Sequence, residues 1–89
     1  MARDELQQAA DSLHHAAEVV QNDEARERLQ NQADQFESLA TAERGPDHGK
    51  LARHEHILTE IAEAETAAAE QIEAALDSIR AYRETVEGV

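Results

Sequence analysis

The second half of the chain carries an unbroken apolar seam. His54, Leu58, Ile61, Glu65, Ala68, Ile72, Ala75, Ile79, Tyr82 and Val86 fall at alternating spacings of four and three. That period predicts a helix with one apolar face. Ile57 and Leu76 widen the stripe beyond the narrow seam of a two-stranded coil, as a helix in a bundle requires. The first half is helical in period too, but it changes register. Leu6, Ala10, Leu13, Ala17 and Val20 form one row; Ala25, Leu29, Ala33, Phe36 and Ala40 form another, rotated by about 120° at roughly 100° per residue. Between the rows lies Gln21-Asn22-Asp23-Glu24, which contains neither Gly nor Pro. The reading favours one continuous helix with a kink or a heptad skip there. The alternative is a stop near Asn22 and a restart capped by Asp23.

The strongest interruption is Gly45-Pro46-Asp47-His48-Gly49, which holds the only Pro. Gly45 suits the left-handed position that ends a helix, Pro46 prevents its continuation, and Asp47 can cap the next one. The expectation is therefore all-α: a single domain over residues 1–89, with a helix at 3–43, a turn at 44–48 and a helix at 49–87. The two arms would form an antiparallel hairpin, each arm roughly 60 Å long at ~1.5 Å per residue. Folding about the turn pairs residues whose numbers sum to about 93, which sets Glu65 opposite Arg28 and Tyr82 near Asp11. A charge pair inside a seam contributes register more than stability, and the Tyr82 hydroxyl would find its partner at Asp11.

Length changes the picture, because 89 residues is near the lower limit for a self-sufficient core. Seventeen residues are Leu, Ile, Val, Phe or Tyr. Long helices with one apolar stripe usually gain missing burial from another copy, so the reading expects a homodimer forming an elongated four-helix bundle. Ala67-Ala68-Ala69 and Ala74-Ala75 allow the close helix approach that self-association needs.

Charge narrows the function classes. Twenty acidic residues stand against eight basic ones, for a formal net charge of -12, and Lys50 is the only lysine. A nucleic-acid-binding surface is excluded over most of the chain, leaving the basic tip as the place for any such contact. Strong acidity with little Lys matches proteins of salt-loving archaea, whose carboxylates stay hydrated in molar salt. There is no Cys, so disulfides, thiol chemistry and thiolate zinc sites drop out. The amino terminus is charged where a signal peptide needs an apolar run, and no stretch reaches membrane-spanning length. The expected location is the cytoplasm, with no membrane contact.

Against the acidic background, one cluster reverses the charge: Arg44, His48, Lys50, Arg53, His54 and His56 surround the turn. The string Gly45 to Leu51 has a superficial likeness to a phosphate-binding loop. It fails because the glycine spacing is one short, Leu51 replaces the Ser or Thr that binds magnesium, and a helix precedes it where a strand is needed. Three histidines in nine residues raise a metal site, but His54 and His56 are two apart and point to opposite helix faces. His54 lies on the seam and reads as a packed histidine bonded across the hairpin, with Ser38 as the expected partner. Asp11, His14, His15 and Glu18 form a second polar group. A di-iron bundle needs two Glu-x-x-His copies, whereas Asp11-Ser12-Leu13-His14 is a single imperfect one, so this group reads as a solvated face. No metal ligand and no cofactor are assigned.

Two longer strings carry a resemblance: Gly45-Pro46-Asp47-His48-Gly49-Lys50-Leu51-Ala52-Arg53-His54-Glu55-His56 and the ending from Arg80 to Val89. Together they resemble a family of short acidic haloarchaeal proteins of unknown function. The resemblance implies a high-salt setting and no activity.

The functional expectation is a non-enzymatic interaction or adaptor module. Arg44, His48, Lys50, Arg53 and His56 at the tip would contact an unidentified protein partner. His54, Glu65, Arg28 and Tyr82 would be structural. One alternative is a regulator whose carboxylate faces imitate nucleic acid and occupy a basic protein. A metal-binding bundle is the other.

Overall fold

The computed structural model describes residues 4–42 and 47–85. Among these the only regular elements are helices, without strands, but each expected arm is divided. The order is α1 (Asp4–Val19), α2 (Asp23–Thr41), α3 (His48–Ala64), a 3-10 turn (Thr66–Ala68) and α4 (Ala69–Thr85).

The first division corrects the expected continuous helix at 3–43. Asn22 adopts an extended conformation and its side chain accepts from the Ala25 N–H at 2.9 Å, so the cap is Asn22 and not Asp23. Arg26 closes the turn from the other side. Its guanidinium donates to the carbonyls of Ala17 at 3.2 Å and Val20 at 2.7 Å, and pairs with Asp23 at 3.0 Å. The last carbonyls of a helix lack intrahelical partners, and Arg26 supplies one. The change of register in the sequence is thus a reversal of chain direction.

The second division lies within the expected unbroken helix at 49–87. Glu65 leaves helical geometry (φ -118°, ψ 78°) while its N–H still bonds Ile61 at 2.8 Å, and Ala68 then bonds back to Glu65 at 3.0 Å. Continuing the helix would have kept a carboxylate on the apolar seam, at a desolvation cost. Breaking there leaves Glu65 only partly buried. A third change of direction falls between α2 and α3, where Asp47 caps α3 by accepting from the Lys50 N–H at 2.7 Å.

Four helices therefore alternate in direction and close one bundle within a single chain, 39 × 20 × 16 Å. This corrects the two-arm hairpin and its length of roughly 60 Å. α1 packs against both α2 and α4, and α3 packs against α4. Small residues make α1 suited to that central place: Ala9, Ala10, Ala16 and Ala17 are all buried beside Leu6 and Leu13. The core continues through Leu29, Phe36, Leu51, Leu58, Ile61, Ile72, Leu76 and Ile79. Tyr82 is buried with them, yet its hydroxyl makes no hydrogen bond among the described residues, and Asp11 is engaged by Gln7 at 3.2 Å. The expected Tyr82–Asp11 contact is not formed.

The stripes that suggested a second copy are covered inside one chain. Among the described residues, Val19 is the only large hydrophobic left exposed, at 41 %. No helix there is long and apolar enough to cross a membrane.

Candidate functional site

One side of the bundle stays open. α2 and α3 stand further apart than the other neighbouring helices, and Gln32, Phe36 and His54 meet between them. Three cavities lie along this seam. One, about 480 Å³, is bordered by Gln32 and Gln35 on α2, by the cap Asp47, and by Gly49, Lys50, Arg53, His54 and Ile57 on α3. A second of about 180 Å³ shares Gln35 and Lys50. The third, about 120 Å³, sits at the far end between Arg28 and Glu65.

The floor of the groove is polar and fixed. His54 is 5 % exposed, and its Nδ1–H donates to Oε1 of buried Gln32 at 2.6 Å. That replaces the expected Ser38 partner. The Phe36 ring lies 4.9 Å from the His54 ring, tilted by 59°. Burial first, then the positive charges of Lys50 and Arg53, hold the His54 pKa below its ordinary value. The imidazole is therefore neutral at neutral pH, with Nδ1 as its donor and Nε2 left as an acceptor.

The predicted cluster splits across two faces of α3. Lys50 and Arg53 border the groove. His48 turns to the opposite seam, where Arg83 Nε donates to its Nδ1 at 3.2 Å. This places the ring proton on Nε2, which is buried without a hydrogen-bond partner among the described residues. Arg80, at 3.5 Å, and Arg83 both engage Glu55, so Glu55 is held by α4 and not by the tip cations. His56 is exposed and pairs with Glu60 at 3.2 Å. Arg44 lies outside the described residues.

Charge bookkeeping isolates the groove further. Arg26, Arg80 and Arg83 are committed to partners within the chain. Among the described residues, Lys50, Arg53 and Arg28 form no ion pair and no side-chain hydrogen bond, and all three line the α2–α3 seam. Arg28 and Glu65 border the same small cavity, so the sequence brought the right residues together, but no ion pair joins them.

The protein-family model DUF7553, a family of unknown function, matches residues 1–85. The chain belongs to that family. No curated protein and no solved structure matches this DUF7553 chain. Its groove therefore has to be read from its own residues.

One group in the DUF7553 chain escaped the sequence reading. His14 on α1 meets Glu37 on α2, with Nε2 and Oε2 3.0 Å apart. Asp34 joins them, and one ligand atom from each of the three residues lies within 4.8 Å of the others. The sequence paired His14 with Asp11 on its own helix. The partners that matter come from α2, across a chain reversal that the continuous-arm reading removed. The spacing Asp34-x-x-Glu37, one turn apart, was the available signal.

Proposed function

We propose that this chain is a non-enzymatic interaction module that receives an acidic segment of a partner protein along the α2–α3 groove. The observation that carries the reading is the placement of cations. In a chain of net charge -12, the described Lys and Arg side chains free of internal partners all border one seam. At contact range Lys50 and Arg53 face the groove beside the single carboxylate of Asp47, which favours an acidic ligand and sets its orientation. Lys50 and Arg53 supply charge, Ile57 supplies apolar contact, and the neutral acceptor Nε2 of His54 offers a site for a partner N–H. His48 and His56, assigned to the same contact from the sequence, border other surfaces.

The groove is formed by α2 and α3 of one chain, so no homodimer is needed to complete it. The carboxylate-rich exterior suits the cytoplasm of a cell at high internal salt. A contact mixing charge with Ile57 should persist there, whereas a decoy imitating nucleic acid, held by charge alone, would release steeply as salt rises.

The test is a titration of isotope-labelled protein with a glutamate-rich helical peptide, followed by amide shifts. Changes should concentrate at Gln32, Gln35, Lys50 and Arg53, and the Lys50→Glu, Arg53→Glu double variant should lose them while keeping its fold. Shifts spread over other faces, or unchanged binding by the double variant, would overturn the reading.

A further inference from the structure

We propose that His14, Asp34 and Glu37 form a binding site for one divalent transition-metal ion, on a face of the bundle separate from the groove. His14 projects from α1, while Asp34 and Glu37 project from the same side of α2 one turn apart. The donor set is one imidazole nitrogen and two carboxylate oxygens. That mixture suits zinc, manganese or ferrous iron, whereas calcium and magnesium favour all-oxygen sites.

Two features separate this group from ordinary surface acids. The first is that its ligands sit on different helices whose separation is already set. α1 and α2 are closely packed along their length, and Arg26 locks the turn between them. His14 is already held at 3.0 Å from Glu37. Ligand atoms about 2.0–2.2 Å from a zinc ion sit a little over 3 Å from one another, so a rotation of exposed Asp34 closes the remaining distance. The second is the absence of another counter-charge. Two carboxylates one turn apart repel, and neither Asp34 nor Glu37 has a Lys or Arg partner among the described residues. A dication answers both charges at once. Three protein ligands leave coordination positions for water.

The experiment uses the whole chain, stripped with chelator and dialysed. Zinc is titrated by calorimetry, and cobalt serves as an absorbing substitute whose d–d bands report coordination number. One zinc ion should bind per chain. His14→Ala, and separately the Asp34→Asn, Glu37→Gln pair, should each weaken binding by more than about tenfold, the lower end of what disturbing a metal site costs. His56→Ala, which removes an exposed histidine paired with Glu60, should leave it unchanged. Circular dichroism confirms that the variants are folded, which their partly exposed positions favour. Absence of saturable zinc binding to wild type, an unchanged affinity in His14→Ala, or an equal loss in His56→Ala would each overturn the site.

Discussion

Gln32 and His54 face each other across the widest seam of the bundle, with His54 Nδ1–H bonded to Gln32 Oε1 at 2.6 Å. Both are largely buried at the floor of the groove, so water replaces either partner only poorly. Replacing Gln32 with Ala leaves a buried donor unpaired and should cost about 1–3 kcal/mol in chemical denaturation. Converting both residues to Leu removes donor and acceptor together and should recover most of that loss. If the double variant is no better than Gln32→Ala, the bond is not what holds this seam.

The same histidine sets a pH response. Its folded pKa lies below the ordinary 6.5, by burial first and then by the charges of Lys50 and Arg53. The unfolded chain therefore takes up the proton first. Stability present above about pH 6.5 should fall as pH drops toward the folded pKa and level off below it. Denaturation of wild type and His54→Leu across this window should give diverging curves, with only the wild type losing His54's contribution. Parallel curves would contradict the assignment.

Arg26 ties the end of α1 to the start of α2, through the carbonyls of Ala17 and Val20. Arg26→Met keeps most of the aliphatic stem and removes these charged donors. The expected loss is about 1.5–3 kcal/mol. Hydrogen exchange should localise the effect to the last turn of α1 and the first of α2; a uniform change would argue for a general packing defect.

Among the described residues the large apolar side chains are covered, apart from Val19, which leaves these helices little with which to hold a second copy. Light scattering at several protein concentrations should give a mass near 9.8 kDa. Twice that mass, persisting on dilution, would restore the homodimer expected from the sequence and would direct attention to Val19.

Helix type and core membership were legible because they follow from local period. The row from Leu58 to Tyr82 is buried largely as its spacing predicts, and Asp47 caps α3 as an aspartate before a helix should. The two internal reversals were not legible. At Gln21 to Glu24 no Gly or Pro marks the turn, and what makes it is Asn22 from within and Arg26 from the following helix. At Glu65 the signal was a single carboxylate on an apolar row, which a hairpin with a buried ion pair explains as readily as a break. The groove was half legible: its cations stood out as a charge reversal, but their division from His48 depends on which face of α3 meets α4. His54 was correctly placed in the interior, while its partner is Gln32, further along α2 than Ser38.

The position of α1 bears on how the molecule comes to exist. α1 is flanked by its immediate successor α2 and by the distant α4. As the chain leaves the ribosome, the first pair can meet early, because little loop entropy opposes contacts so close in sequence. The other flank of α1 must wait, with Leu and Ala side chains uncovered, until the last helix has been made. Folding of the bundle is therefore completed only once α4 has been made, and a chain cut short before α4 would expose an apolar surface of the kind that quality-control proteases and chaperones recognise.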